Sequence, residues 1–224
     1  MANTYAVRLI GETPLLMHWD NLLWAARMER WQKDPANKSK SVAGDDRTPA
    51  WRWLGNLYVD CGRVCIPADN LQTALREGGA KVGAGRKGQT YKRHTQSGMV
   101  VNESSWPLVV GGKTLNGKEL FERFIGIEDF AEHERMAAEL GVCLFSKRAR
   151  IGTSKHVRVR PRFDAWECSG TITVFDDQVI PGDALRMILE SAGSMCGLCD
   201  WRPSSPKSPG PFGRFRIEMK KDGK

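Results

Sequence analysis

Val64-Cys65-Ile66-Pro67-Ala68-Asp69-Asn70-Leu71-Gln72-Thr73-Ala74-Leu75-Arg76-Glu77-Gly78-Gly79 is the stretch on which the reading of the fold turns. A short apolar strand meets Pro67, and a helix starts just beyond it. Asp69 suits the N-cap, and Gln72, three residues on, completes a capping box that satisfies two orphan backbone donors. Leu71, Ala74 and Leu75 share one face at helical spacing. Gly78 is placed to take the left-handed conformation that ends a helix. The chain then becomes cationic: Arg76 to Arg93 holds six cations (Arg76, Lys81, Arg86, Lys87, Lys92 and Arg93) against one acid, Glu77.

Such a segment reads as a helix feeding a flexible basic finger. Gly83, Gly85 and Gly88 would let backbone amides approach a phosphate, and the cations supply charge. A solvated surface loop is the plain alternative. A nucleotide-binding P-loop is excluded, because no Gly-x-x-x-x-Gly-Lys-Ser/Thr pattern exists and the loop follows a helix rather than preceding one.

The 224 residues suffice for one domain with a substantial core and insertions. An apolar fraction of 41% and a charged fraction of 27% describe an ordinary globular chain. The net charge of +8 favours polyanionic partners. Apolar runs are too short to span a membrane, and Met1 to Tyr5 lacks the pattern of a secretory leader, so a cytoplasmic protein with no membrane partner is expected. Cys61-x3-Cys65 and Cys196-x2-Cys199 offer four thiolates, but the pairs lie far apart in the chain. Reduced thiols are expected, with no metal and no cofactor.

Tyr5 to Ile10 alternates as a half-buried strand. Asn21 to Lys33 has helical spacing, with Leu22, Leu23, Ala26, Arg27, Arg30 and Trp31 on one face. Asp34 to Pro49 reads as an exposed, mobile loop. Trp51, Trp53, Leu54, Leu57 and Tyr58 form a compact apolar set suited to a core. After the finger, Met99 to Val101 and Trp106 to Val110 read as strands. Asn116 to Leu140 is helical and acidic, with Glu119, Glu122, Glu128, Asp129, Glu132, Glu134 and Glu139. It is either a solvated insertion or a docking surface for a neighbour's basic face.

A second cationic block follows: Lys147, Arg148, Arg150, Lys155, Arg158, Arg160 and Arg162, with no acid among them. From Val157 to Phe163 the period is two, so Arg158, Arg160 and Arg162 share one sheet face. Three arginines so placed repel one another unless an anion lies near. Either a polyanion or acids from the helical insertion would supply it. Pro161 argues for an edge strand or a bulge. Ala165 to Phe175 is a further strand, and Pro181-Gly182-Asp183 opens a helix with Leu185, Ile188, Leu189 and Ala192 inward, closed by Gly193. The tail runs Gly197-Leu198-Cys199-Asp200-Trp201-Arg202-Pro203, then Gly210-Pro211-Phe212-Gly213-Arg214-Phe215-Arg216-Ile217-Glu218, ending as a strand.

Three of these motifs together resemble the RAMP superfamily, which contains the backbone subunits of CRISPR effector complexes. They are the first strand running into Thr13-Pro14-Leu15, the Ile66-Pro67 strand-to-helix junction with Ala74-Leu75-Arg76, and the glycine-rich Gly210-Pro211-Phe212-Gly213-Arg214-Phe215 run before the last strand. The C-terminal half also resembles small phage-encoded proteins with an Arg-x-Arg-Pro strand and a Leu-Gly-Asp-Trp-Arg-Pro turn, where Cys199 stands in place of the usual glycine. The resemblance implies an α+β, ferredoxin-like antiparallel sheet of the RRM/RAMP type, with helices on one face and inserted loops. The expected organisation is one domain over residues 1–224, with a basic finger at 78–98 and an acidic helical insertion at 113–142.

By the same resemblance the finger cations would grip phosphates, with Arg158, Arg160, Arg162 and Arg202 or Arg214 lining the groove; on their charge Lys147, Arg148, Arg150 and Lys155 join them, and Trp201 or Phe212 would stack on bases if exposed. The expectation is a non-enzymatic protein that binds single-stranded DNA or RNA through its backbone and multimerises along it, as a phage protein or a CRISPR-type subunit. One alternative is a RAMP-type endoribonuclease using His18 or Asp20, or Asp45 and Asp46 in the loop. Another is a phage-derived docking or inhibitor subunit that uses the acidic insertion.

Overall fold

Alternation along Asn3–Gly11 (β1) turns Tyr5, Val7 and Leu9 inward, as their spacing predicts, and everything else is layered on that strand. The structure is a computed structural model that describes residues 1–40, 42–85 and 88–222. Arg86 and Lys87, two of the expected finger cations, lie outside the described residues. After β1 come Leu15–Leu16 (β2), Leu22–Lys33 (α1), Val59–Asp60 (β3), Arg63–Pro67 (β4), Ala68–Gly79 (α2) and Lys92–Ser97 (α3). Next are Met99–Val101 (β5), Ser105–Pro107 (β6), Val109–Val110 (β7), Lys113–Thr114 (β8), Gly117–Phe124 (α4) and Phe130–Ala138 (α5). Cys143–Ile151 (β9), Ser154–Phe163 (β10), Glu167–Val174 (β11), Gly182–Ser191 (α6) and Phe215–Lys221 (β12) complete the order.

The protein is mixed helix and strand, and its sheets are antiparallel. The main sheet runs β12-β1-β11, with β5 and β7 both paired to the far side of β11 and β8 beyond β7. Smaller sheets are β2-β10-β9 and β3-β4-β6. Helices α2 and α6 pack against each other. Leu71, Ala74 and Leu75 of α2 and Leu189 of α6 meet Leu9, Ile172 and Phe215 of the sheet around a void of only about 10 Å³. That void is at the lower limit for a water, so the layers are close-packed and dry. Each leucine fully buried there contributes about 1.5–3 kcal/mol.

The opposite face of the main sheet carries small and polar side chains, among them Ala6, Ser169 and Thr171, and Arg8. Arg8 is neutralised by Glu167 and by Glu218, the latter at 3.1 Å.

Several expectations are corrected. Helix α2 begins at Ala68, one residue before Asp69, with no side-chain cap; its Ala68 N–H donates to the Ser104 carbonyl instead. Asp69 sits in the first turn, where its charge complements the dipole. Gln72 reaches across to donate to the Thr95 carbonyl at 2.9 Å. Gly78 does not terminate the helix. A β-carbon there would lie 2.5 Å from the Ile188 carbonyl oxygen, so the glycine serves close approach of α2 to α6. Gly193 likewise does not end α6, which continues through a π-turn, Ala192–Cys196, to Gly197.

In α1, Leu22 and Leu23 are 79% and 80% exposed, and the core-facing side chains are Trp24, Met28 and Trp31. The loop after α1 is not solvated throughout: Asp45 and Asp46 return to β10, where the Asp46 N–H donates to the Val157 carbonyl. The finger is not a free loop at its base. Ala84 N–H donates to Gln89 O, Tyr91 N–H to Val82 O, and α3 packs on α2. The acidic insertion does carry α4 and α5, and Leu120, Phe124 and Ala137 bury their apolar side near Trp53.

Candidate nucleic-acid interface

Strands β9 and β10 form a long hairpin turned by Gly152, whose φ is 60°. Its register sets Arg158 opposite Lys147 and Arg160 opposite Phe145. Cross-strand partners share a face, so two cations stand directly opposed, an arrangement that costs stability unless an anion intervenes. The protein supplies anions of its own, but from places other than the helical insertion. Asp46, 4% exposed, lies 2.9 Å from Arg158, 3.0 Å from Arg52 and 3.5 Å from Arg160. Asp200 lies 3.4 Å from Arg160, and Arg162 donates to Asp164 at 3.1 Å. The Arg160 side chain is only 15% exposed, and burial pulls its guanidinium pKa below the ordinary value.

The tail closes over this hairpin. Its turn holds two non-glycine residues in the left-handed region, Cys199 at φ 61° and Trp201 at φ 48°. Each such residue costs on the order of 1–3 kcal/mol and persists only where neighbours over-determine it. Here the ties are many. Asp200 N–H donates to Leu16 O at 2.9 Å, and Asn70 Nδ2 donates to Cys199 Sγ at 3.7 Å. Arg202 donates to the Cys199 carbonyl and to Glu77 at 3.1 Å. Burial pushes the Cys199 thiol up to about 12, so it stays protonated and unreactive.

Between hairpin and turn lies a cleft of about 490 Å³, a size suited to a small ligand. Its walls are Leu16, Phe145, Ala149, Trp201, Ser205 and Ser208, with Lys147, Arg148, Arg150, Arg158 and Arg160 against a single acid, Asp200. The Lys147 ammonium rests over the Trp201 ring, 3.4 Å from its centroid. The ring packs against Gly210, where a β-carbon would fall 2.2 Å from Trp201 Cδ1. An exposed cation–π contact is worth about 0.5–1 kcal/mol. A base stacked on the same ring is worth about 1–3 kcal/mol.

A second basic pocket of about 420 Å³ sits at the finger root, lined by Arg76, Lys81 and Lys92 with Glu77, Gln96 and Ser204. Ser204 lines this pocket and Ser205 lines the cleft, so one turn contributes to both.

The expected residues thus divide. Lys147, Arg148, Arg150, Arg158, Arg160 and Trp201 meet in the cleft, and Arg76, Lys81 and Lys92 at the finger root. Arg93 and Lys155 are exposed but border neither pocket. Arg162 is held by Asp164 and lies 5.6 Å from the Phe145 ring centroid. Arg202 spends its donors on the turn, and Arg214 donates to the Ser194 carbonyl. Phe212 is 8% exposed and supports Trp201 and Phe145 from below, so it is not free to stack on a base. Phe145, Asp200, Ser205 and Ser208 belong to the cleft without having been singled out for it. Phe145 was accessible from sequence in principle, two positions before Lys147 on an alternating strand.

Of the catalytic alternatives, His18 Nδ1 stands 3.9 Å from Asp200, beyond hydrogen-bond reach. Asp45 is held by Arg47 at 2.6 Å, and Asp46 is the buried hub of the arginine cluster. Among the described residues, no three of His, Cys, Asp and Glu gather as a metal-binding group. No described helix is long and apolar enough to cross a membrane. The larger groove, about 660 Å³, is lined by Glu134, Glu139 and Asp164 with one Lys113, which disfavours a polyanion. No protein-family model matches the chain, and no curated protein matches it in sequence.

Proposed function

We propose that this chain is a single-stranded nucleic-acid-binding protein of RAMP type that holds its ligand by the backbone and multimerises along it. The observation that carries the proposal is the cleft, where five cations and an indole surround one acid. Cations give phosphate affinity and the ring gives sequence-tolerant stacking, the combination that single strands require. A duplex offers no unstacked base to Trp201.

The fold assignment is ferredoxin-like. Its support is the strand order β12-β1-β11-β5, with α2 connecting β1 toward β5 and α6 connecting β11 to β12. The ligand is assigned to the hairpin and turn rather than to the open sheet face, whose Arg8 is already paired with two glutamates. Multimerisation rests on the resemblance; in the acidic groove Glu139 is already paired with Arg123 and Arg135, and Asp164 with Arg162.

The test is fluorescence anisotropy of nucleic-acid-free protein with labelled single-stranded DNA, single-stranded RNA and duplex of equal length, each across a salt titration. Steep salt dependence with preference for a single strand is expected. Equal, weak binding to all three would refute the proposal and turn attention to the acidic groove as a protein-docking surface.

A further inference from the structure

Asp200 is an oddity in a polyanion site: a carboxylate on the wall of a cleft otherwise lined by cations. Its position is fixed. Oδ1 accepts from the Trp201 N–H at 2.9 Å, and Oδ2 faces Arg160 Nε at 3.4 Å. A carboxylate has about four acceptor sites, so two remain for something else. The carboxylate neighbours Trp201, which lines the cleft beside Phe145. The turn that presents both is held by the Leu16 carbonyl and Arg202, so neither group is free to swing away.

We infer that the cleft is a seat for one unstacked nucleobase, in which Asp200 reads the base edge and favours bases bearing an exocyclic amino group. The inference rests on the proposed single-strand binding and adds selectivity to it. The base lies on Trp201 in the place of the Lys147 ammonium. Lys147, released from the ring, takes the flanking phosphate, while Arg158 opposite it stays paired with Asp46. The amino group of cytosine donates to the open lone pairs of Asp200, as carboxylates accept from cytosine N4 elsewhere. Thymine and uracil present a carbonyl at that position, which the carboxylate repels. Arg160, 3.4 Å from Asp200 Oδ2, holds the carboxylate in place and so acts as a positioning residue.

The experiment compares oligo-deoxycytidine with oligo-deoxythymidine of about a dozen nucleotides, a length within single-strand site sizes, at neutral pH and matched salt, using the full chain and its Asp200→Asn variant. The wild type is expected to bind the cytidine strand about tenfold more tightly, the effect of one charge-assisted hydrogen bond. Asp200→Asn removes a negative charge, so both strands should bind more tightly, while their ratio falls toward one. A merely structural role for Asp200 would leave the ratio unmoved. Equal binding of both strands by the wild type, or an unchanged ratio in the variant, would overturn the seat while leaving backbone binding intact. Failure of both strands to bind at low salt would overturn single-strand binding itself, and the seat with it. Should Asp200→Asn not fold, Trp201→Leu provides the check: it must weaken both strands and erase their difference.

Discussion

Asp46 Oδ1 lies 2.9 Å from Arg158 Nη1, joining a loop to a strand 112 residues further along the chain. The same carboxylate faces Arg52 and Arg160, so one buried acid holds three guanidiniums. Removing one partner of a buried charge cluster strands the others without compensation. Asp46→Ala should therefore destabilise the fold by about 3–5 kcal/mol, read as a shift of the urea midpoint. The double variant Asp46→Ala/Arg158→Ala should recover part of that loss. Equal stability of Asp46→Ala and wild type would mean that the cluster is solvated and the loop is not docked.

The proposed phosphate contacts in the cleft are countable by salt. For single strands each contact contributes about −0.7 to the slope of log K against log salt. Lys147→Ala combined with Arg148→Ala, both of which line the cleft, should flatten the slope by about 1.4. The exposed Lys155→Ala, which borders neither pocket, should change it little. A slope that ignores the double variant would remove the hairpin from the interface.

Stacking separates from charge. Trp201→Ala should weaken single-strand affinity by about 1–3 kcal/mol while leaving the salt slope in place. Tryptophan fluorescence quenching on binding, lost in that variant, would provide an independent reading. An affinity unchanged by Trp201→Ala would leave the cleft without its base seat.

Buried histidine sets an acid limit. His133 is fully buried; Trp53 Nε1–H donates to its Nδ1 at 3.0 Å and its Nε2–H donates to Ile127 O at 3.0 Å. Burial lowers its pKa below the ordinary histidine value, and burial followed by Arg160 does the same to His18. A lowered folded pKa means the unfolded chain takes the proton first as the pH falls. Stability is thus complete above about pH 6.5 and is lost as the pH drops through the folded values. Thermal unfolding should show a midpoint that is level at higher pH and declines below about pH 6.5, with a shallower decline in His133→Gln. A wild-type midpoint unchanged down to about pH 5 would contradict the buried neutral imidazole.

Gly78 reports on how closely two helices meet. Gly78→Ala places a methyl 2.5 Å from Ile188 O and 2.9 Å from the Ala192 side chain. The overpacking should cost about 1–3 kcal/mol. Arg76 and Lys81 flank this residue and Cys196 follows α6, so the finger-root pocket should distort with it. Full stability of the variant would show that α2 and α6 can part without loss.

Local pattern was legible and long-range pairing was not. The inward face of α2 followed from Leu71, Ala74 and Leu75, and the arginine row from the period of β10, because both signals lie within a few residues. Gly78 was misread because a glycine near a helix end looks the same whether it caps the helix or lets another helix approach. Asp46 was placed in a solvated loop because the partners that bury it arrive more than a hundred positions later. Phe145 needed the hairpin register, and Asp200 needed the two left-handed residues around it, which no propensity favours for cysteine or tryptophan.

The cleft also has a history during synthesis. Leu16, the β9–β10 hairpin and the 200–208 turn must all be present before it exists. At about 5–20 residues per second, the turn emerges on the order of ten to forty seconds after Leu16. Asp46 leaves the ribosome well before Arg158 and Arg160, so the nascent arginines find an internal carboxylate waiting. The cell is crowded with polyanions, including the ribosome itself, and a bare cationic hairpin would adhere to them. In the finished fold Asp46 still pairs with both arginines, so part of the hairpin's charge is answered from within the chain.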